Sequence, residues 1–90
     1  MIQLHITSTG KSYSPKDTYK IFDTQTKTFD NLIDAKSYLR KTYGKAKRVP
    51  MFYDDKDGKA IHCGYIIGFR VDKWLQQDWV AFQTVESMAL

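Results

Sequence analysis

Two apolar runs joined by Asp55-Lys56-Asp57-Gly58 constrain the fold of this 90-residue chain more than any other feature. Asp-Gly between two such runs is typical of a β-hairpin, because glycine adopts positive φ angles freely. Pro50, near the start of the first run, forbids a helix there and indicates an extended segment. The sequence therefore predicts an antiparallel hairpin with arms at residues 49–54 and 59–71.

The longer arm alternates between two kinds of side chain. One set is apolar without interruption and is expected to face the core: Ile61, Cys63, Tyr65, Ile67, Phe69 and Val71. The other set alternates glycine with larger residues: His62, Gly64, Ile66, Gly68 and Arg70. Because successive side chains of a strand point to opposite faces, the two sets are predicted to lie on opposite sides of the sheet.

Three further strands and two loops are predicted from hydrophobic periodicity and turn residues. At the N-terminus, Ile2, Leu4 and Ile6 alternate with polar residues, which leaves His5 facing outward. Trp74 falls in a polar stretch that reads as a loop. The predicted strands are residues 1–9, 18–23 and 78–85, with loops at 10–17 and 72–77. The face assignment of the second and last strands is left open.

Helix signals lie between the second strand and the hairpin. Asp30 can accept hydrogen bonds from the free amides of a first turn, and Gly44 can end the helix. Apolar residues recur between them at helical spacing: Leu32, Ala35, Leu39 and Tyr43. The sequence therefore predicts one amphipathic helix that follows an Asp30 cap.

The order of predicted elements is β-β-α-β-β-β, which favours an α+β fold: a single antiparallel sheet of four to five strands with one helix on one face. A chain of 90 residues with 42% hydrophobic residues supports one core. We therefore expect one small domain over residues 1–90, with a flexible tail at 86–90. One helix leaves the other face of the sheet open, which antiparallel sheets tolerate when that face is polar or binds a partner.

Cysteine usage and hydropathy indicate a cytoplasmic protein. Cys63 is the only cysteine, so an intramolecular disulfide is excluded, which favours a reducing compartment. No run approaches the roughly 20 apolar residues that a membrane span needs. Residues 1–10 alternate in polarity and do not form the charged end and apolar block of a secretion signal. We expect a cytoplasmic protein without membrane contact.

The residue types that catalysis and metal binding require are scarce. Cys63 and His62 are adjacent, so in a strand their side chains point to opposite faces, and His5 belongs to another strand. One cysteine and two histidines are too few for a structural zinc site. Acidic residues concentrate in turns and caps, and no phosphate-binding glycine loop is present. We expect no enzymatic activity, no catalytic residues, no metal and no cofactor.

The positive charge of the chain is concentrated in one segment. The formal net charge is +4, and residues 36–50 contain no Asp or Glu. This basic segment contains Lys36, Arg40, Lys41, Lys45, Lys47 and Arg48. It can contact the phosphates of a polyanion, with Tyr43 or Tyr53 available for stacking. The alternative is that these cations only stabilise the C-terminal end of a solvated helix.

The glycine-spaced face of the hairpin is the predicted protein-binding surface. If Asp54 pairs with Lys59, Met51 and Tyr53 also lie on this face, beside His62. Trp74, in the polar loop, is an exposed aromatic residue of the kind that anchors interfaces. The predicted protein-binding residues are Tyr53, His62, Ile66, Arg70 and Trp74. Two alternatives stay open: the glycines only let a long strand coil, and Trp74 folds back over one edge of the core.

Two stretches of the chain combine strand, turn and aromatic residues in a recurrent order. One runs from Gly64-Tyr65-Ile66-Ile67-Gly68-Phe69 through Trp74 to Gln77-Asp78-Trp79-Val80; the other joins Thr28-Phe29-Asp30 to Ala35, Tyr38 and Leu39. Together they resemble small uncharacterised proteins of phages and mobile elements in Gram-positive bacteria. The resemblance implies no activity, but it favours a small accessory binding role.

The sequence supports a non-enzymatic binding module, a small phage-like accessory protein that engages a protein partner through an open sheet face. The alternative is a nucleic-acid-binding protein that uses the basic segment. Its predicted phosphate contacts are Arg40, Lys41, Lys45, Lys47 and Arg48. A third hypothesis is a homodimer, because an exposed edge of an antiparallel sheet can pair with a second copy.

Overall fold

A computed structural model describes residues 1–84 of the chain. The elements are β1 (Ile2–Ser12), β2 (Lys20–Phe29), α1 (Leu32–Tyr43), β3 (Lys47–Asp54), β4 (Ala60–Val71) and β5 (Trp74–Thr84). The predicted order β-β-α-β-β-β and the α+β class are confirmed. The predicted tail at 86–90 lies outside the described residues.

The five strands form one antiparallel sheet in the order β2-β1-β5-β4-β3. The first and last strands of the chain pair at the centre, where Ile2 lies opposite Thr84. The helix α1 joins β2 to β3, the two edge strands, and therefore crosses from one side of the sheet to the other. No helix within residues 1–84 is long and apolar enough to cross a membrane.

The hydrophobic core lies between α1 and one face of the sheet. Its fully buried apolar residues come from the helix and the three central strands: Leu4, Ile6, Ala35, Leu39, Ile67 and Val80. Aromatic side chains, including Phe29, Tyr38 and Phe82, pack around this cluster. Burial of these side chains drives the docking of α1, since a helix of 12 residues is marginal in isolation.

The helix begins one residue later than the sequence predicts. Asn31, and not Asp30, is the N-cap: its side-chain oxygen accepts a hydrogen bond from the Asp34 amide at 2.9 Å. Asn and Asp are equally good N-caps, so residue type alone does not show which of Asp30 and Asn31 caps the helix. Gly44 ends the helix as predicted, with a positive φ of 57° and a hydrogen bond from its amide to Arg40.

The predicted loop at residues 72–77 is wrong. Val71 lies opposite Trp74, so β4 and β5 are joined by Asp72 and Lys73 alone. Asp72 has a positive φ of 54°, which Asp tolerates better than most residues and which a two-residue hairpin turn requires. The strands β1, β2 and β5 are accordingly longer than predicted.

A bulge changes the register of the β3–β4 hairpin. Asp54 pairs with Ala60 and not with Lys59, and Phe52 lies opposite His62. Met51 then lies opposite Gly64, so Cys63 is left without a direct partner on β3. One extra residue in a strand reverses the face of every side chain beyond it. The strict alternation predicted over residues 59–71 therefore fails at Cys63.

Candidate functional site

The face of the sheet opposite α1 is the candidate site, and we call it the open face. It carries the strand residues that alternate with the core, among them Thr7, Gln77 and Trp79 at the centre of the sheet. Across β4 and β3 it continues with Ile66 and Val49, which lie directly opposite each other. No described helix covers this side of the sheet within residues 1–84.

Two adjoining cavities form a shallow groove on the open face. The first, of about 450 Å³, is lined by residues that include Lys47, Val49, Ile66, Gly68, Arg70 and Leu75. The second, of about 420 Å³, is lined by Thr7, Thr9, Ile21 and Trp79. Tyr19 and Gln77 line both cavities. The groove therefore extends from β2 across the centre of the sheet to β3.

The groove exposes apolar side chains that a folded protein normally buries. The exposed fraction is 67% for Ile21, 49% for Val49 and 42% for Trp79. Gly68 contributes no side chain between them, and an added Cβ at that position would find no heavy atom closer than 3.9 Å. Contiguous exposed apolar surface of this kind marks an interaction site more often than scattered single residues do.

The open face is positively charged. Lys11, Lys47 and Arg70 belong to it, and none of its regular strand positions carries Asp or Glu. Two of the cations lie against aromatic rings: Lys11 Nζ is 5.7 Å from the centre of the Tyr19 ring, and the Arg70 guanidinium is 5.3 Å from that of Tyr13. The electrostatic field over the groove therefore favours a partner with acidic groups.

The loop that carries Tyr13 and Tyr19 is held in place by Asp17. The Asp17 carboxylate accepts hydrogen bonds from the Ser12 amide at 2.8 Å and from the Thr18 amide at 3.0 Å. The Ser12 hydrogen bond is the main cause that lowers the pKa of Asp17 below its ordinary value. The Tyr13 amide in turn donates to Lys73 in the β4–β5 turn. These contacts fix the end of the groove that lies nearest to β2.

Of the five predicted protein-binding residues, the structure places Ile66 and Arg70 in the groove. Tyr53 is exposed, but it lies beyond the bulge at the far end of β3 and lines a separate cavity with Ile2 and Cys63. The predicted surface is therefore split: its centre belongs to the groove, and its Tyr53 end does not.

The prediction that His62 shares a face with Ile66 is wrong. The His62 ring lies among aromatic rings that surround the core, with centroid distances of 4.7 Å to Tyr65 and 5.5 Å to Phe82. Its Nε2 lies 2.8 Å from the carbonyl oxygen of Gly64, within hydrogen-bonding distance. The cause is the bulge at Cys63, which turns His62 towards the side of the sheet that α1 covers.

Trp74 does not belong to the open face either. It begins β5 and alternates with core residues of that strand, so its ring lies over Gly10 on the helix side of the sheet. The ring also packs edge-on against Phe22, with centroids 6.0 Å apart. Trp74 therefore packs on Gly10 and Phe22 at one end of the helix side of the sheet, and it is not among the residues that pack against the core.

Sequence reasoning missed the two aromatic residues that dominate the groove, Tyr19 and Trp79. Both fall in predicted strands, residues 18–23 and 78–85, for which the sequence gives no face assignment. Val80 is fully buried, and the side chain of the neighbouring Trp79 points to the opposite face of the strand. Recognising Val80 as a core residue would therefore have placed Trp79 on the open face. Tyr19 could not be placed from its own strand, since it reaches the groove through the loop that precedes β2.

The basic segment divides between two sides of the molecule. Lys47 belongs to the open face, while Lys36, Arg40 and Arg48 line a small cavity of about 190 Å³ between α1 and β3, which we call the basic notch. Arg48 Nη2 also donates to the Gly44 carbonyl at 3.1 Å. Lys41 and Lys45 are exposed beside the end of the helix. The six cations therefore do not form one continuous patch.

One buried polar pair lies near the end of α1. The Tyr43 hydroxyl donates to the Asp78 carboxylate, which also accepts from Gln76 at 2.9 Å. Burial and the neighbouring carboxylate raise the pKa of Tyr43 well above its ordinary value. The tyrosine therefore stays protonated at neutral pH, and the pair anchors α1 to β5.

The Cys63 thiol and the His62 imidazole of the hairpin each lie near a backbone carbonyl oxygen. Cys63 is half-buried, and its thiol lies 3.5 Å from the Met51 carbonyl oxygen. Across residues 1–84, no three His, Cys, Asp or Glu side chains converge in a way that could hold a metal ion. The open face itself presents apolar side chains, aromatic rings and cations.

Comparisons with protein-family models, with curated proteins and with solved structures found no match to this chain.

Proposed function

We propose that this protein is a non-enzymatic binding module that captures a partner protein in the groove of the open face. The observation that carries the proposal is the run of exposed apolar side chains from Ile21 through Trp79 to Val49 on an uncovered sheet. Apolar surface that is exposed to water lowers the solubility of a protein. A partner that covers this surface removes it from water, and that burial contributes favourable free energy to binding.

The charge of the open face specifies the chemistry of the partner. Lys47 and Arg70 line an apolar groove that has no carboxylate on its strands, and Lys11 lies against the Tyr19 ring at the border of that groove. A complementary segment combines aliphatic or aromatic side chains with flanking Asp or Glu. Trp79 and Ile66 would supply the buried contacts, while the three cations would speed association and exclude basic competitors.

Selection of displayed random peptides on the immobilised protein tests this proposal. We expect enriched peptides to carry apolar residues flanked by acids. Their binding should fall at least tenfold in Ile66→Lys and in Arg70→Glu, because each variant places an unfavourable charge at the groove. Ile33→Lys is the matched control, since Ile33 is 73% exposed on α1, away from the groove.

Two results would refute the proposal. One is an enriched set that binds Ile66→Lys and Arg70→Glu as tightly as the unchanged protein, with NMR spectra showing that both variants are folded. The other is an enriched set that is predominantly basic.

Nucleic-acid binding is a second candidate, and the basic notch is the observation that favours it. Lys36 and Arg40 are one helical turn apart, and Arg48 faces them from β3. Three cations around one cavity can contact a phosphate group, with Lys41 and Lys45 available for its neighbours.

An amide-resolved NMR titration with single-stranded and duplex oligonucleotides separates the two candidates. Phosphate binding predicts shifts centred on residues 36–48 and an affinity that falls by about 0.7 to 0.9 log units per contact for each log unit of salt. The double variant Arg40→Glu/Arg48→Glu should abolish these shifts and leave peptide binding unchanged. A response that is independent of salt would exclude this candidate.

We further propose a cytoplasmic location and a phage-like accessory role. The support for the location is the single half-buried thiol of Cys63, which needs no oxidising compartment. The support for the role is the resemblance carried by residues 64–80 and 28–39. Fractionation of cells that express the tagged full-length chain tests the location.

A further inference from the structure

The outer edge of β2 is a long unpaired strand edge. One side of β2 pairs with β1, and no described strand within residues 1–84 pairs with its other side. The strand has ten residues, almost all of them exposed. The opposite edge strand, β3, is shorter and contains Pro50, which cannot donate a backbone hydrogen bond. Of the two edges, β2 is therefore the one that can accept another strand.

The sequence of β2 is complementary to itself in one antiparallel register. If Gln25 lies opposite Gln25 of a second copy, then Asp23 lies opposite Lys27 of that copy, and the reverse pair forms by symmetry. Moving the second strand by three residues would place Lys20 opposite Lys27. Moving it by four residues would place Asp23 opposite Asp23. The register that pairs unlike charges is centred on the part of β2 that follows the register shift with β1.

We infer that two copies of this chain associate through β2, antiparallel and centred on Gln25. The association satisfies backbone N–H and C=O groups that β2 otherwise presents to water. Its regular part runs from Asp23 to Lys27, because the β1–β2 register shifts just before Asp23. Lys27 is half-buried, and its Nζ lies 5.5 Å from the centre of the Tyr38 ring, while Asp23 is exposed. A short ladder with two partly exposed ion pairs gives a weak dimer that depends on concentration.

The geometry of this dimer bears on the open face. Residues that lie opposite each other in an antiparallel pair point to the same side of the sheet, and this register pairs odd residues with odd residues. Both helices therefore lie on one side of a ten-stranded sheet, and both open faces lie on the other. Two grooves on one surface would bind a bivalent partner with higher avidity than a single groove can. The dimer itself does not depend on the proposed function.

Cysteine crosslinking tests the register directly. In a Cys63→Ser background, Gln25→Cys should form a disulfide-linked dimer under mild oxidation, because the two β-carbons would lie about 4.5 to 5.5 Å apart. Thr28→Cys is the matched control on the same exposed strand. In the inferred register, the two copies of residue 28 lie six positions out of line, about 20 Å apart. Equal crosslinking of both variants would overturn the register.

Charge exchange tests whether the Asp23 and Lys27 pairs are made. Light scattering of the full chain over a range of concentrations should show a reversible dimer. Asp23→Lys and Lys27→Glu should each weaken dimerisation several-fold, and the double variant should restore it. Asp23 and Gln25 are exposed at the sheet edge, whereas Lys27 also contacts the Tyr38 ring. NMR spectra of each variant are therefore needed to establish that the monomer fold is intact. A chain that stays monomeric at millimolar concentration, or a double variant that is weaker than either single variant, overturns the inference.

Discussion

At the scale of single residues, the two glycines of β4 have different roles. A Cβ added at Gly64 would overlap the backbone oxygen of Val80, an atom that cannot move without breaking the β4–β5 ladder. A Cβ added at Gly68 would meet only the Gln76 carbonyl, at 3.9 Å. Gly64 is therefore required for strand packing, whereas Gly68 keeps the groove shallow.

This difference predicts opposite outcomes for the same substitution. Gly64→Ala should lower the free energy of unfolding by about 1 to 3 kcal/mol or more through steric overlap. Gly68→Ala should leave it unchanged or raise it by up to about 1 kcal/mol, since alanine restricts the unfolded chain more than glycine does. Urea unfolding followed by circular dichroism measures both. Equal losses would contradict the assignment of Gly68 to open space.

The Tyr43–Asp78 pair gives a second prediction at this scale. Tyr43→Phe leaves a buried carboxylate with one hydrogen-bond donor fewer, so we expect a loss of about 1 to 3 kcal/mol at neutral pH. Tyr53→Phe is the control, because Tyr53 is exposed and outside the core, and its loss should stay within about 0.5 kcal/mol. Urea titrations measure the unfolding free energy of both variants, and equal losses would contradict the role assigned to the Tyr43 hydroxyl.

The same pair predicts the response to alkali. Folding raises the pKa of Tyr43 through burial and the Asp78 carboxylate, so the folded protein holds this proton more tightly than the unfolded chain. Its contribution is fully present below the unfolded pKa of about 10 and is lost as the pH rises above that value. The unchanged protein should therefore lose stability more steeply above pH 10 than Tyr43→Phe does. Parallel curves would contradict the assigned hydrogen bond.

At the scale of secondary-structure elements, the start of α1 provides a test that separates two adjacent residues. Asn31→Ala removes the hydrogen bond to the Asp34 amide and should cost about 1 kcal/mol. Asp30→Ala should cost less than about 0.5 kcal/mol, because Asp30 is exposed and is not the cap. Thermal unfolding of the two variants, measured in parallel, compares the two losses of stability. A larger loss for Asp30→Ala would move the helix start back by one residue.

How far the sequence predicts these elements depends on the range of the interactions involved. The hairpin turn at Gly58 and the helix end at Gly44 were correct, because both rest on positive φ angles that glycine adopts locally. The pairing of β1 with β5 was not predictable, since it joins residues that are 62 to 82 positions apart and no local pattern specifies it.

The candidate site was predicted in part for the same reason. Between Gly64 and Val71, β4 pairs with β5 without a register shift. Strict alternation therefore assigns Ile66 and Arg70 to the correct face. His62 lies beyond the bulge, where alternation reverses, and Trp74 was misplaced because a two-residue turn was read as a longer loop. Bulges depend on the neighbouring strand, so a single sequence does not reveal them.

At the scale of the whole molecule, the connectivity predicts which rearranged chain folds faster. A circular permutant that joins residue 90 to Met1 and opens before Asn31 would begin with α1 and continue as an unbroken meander. Each pair of neighbouring strands would then be close in sequence, and lower contact order speeds folding. Stopped-flow refolding should be at least tenfold faster than for the natural order.

A second permutant provides the control for this prediction. Joining residue 90 to Met1 and opening the chain between Lys56 and Asp57 removes the β3–β4 hairpin connection. The β1–β5 pair then becomes close in sequence, but the β3–β4 pair becomes distant. This permutant should refold no faster than the natural chain. If both permutants refold at the natural rate, the closure of β1 on β5 is not the slow step.

The central β1–β5 pair also determines how the molecule responds to mechanical force. Ile2, the first residue of β1, lies opposite Thr84, the last residue of β5. Both residues are therefore at the same end of the central ladder. Tension applied between the two ends would open that ladder one hydrogen bond at a time, like a zipper, and would not load all of its hydrogen bonds together in shear. The first break would divide the sheet into β2-β1 and β5-β4-β3, with only α1 as the covalent link between them. A cellular unfolding motor that pulls on Ile2 or Thr84 would therefore begin at the end of the ladder that resists force least.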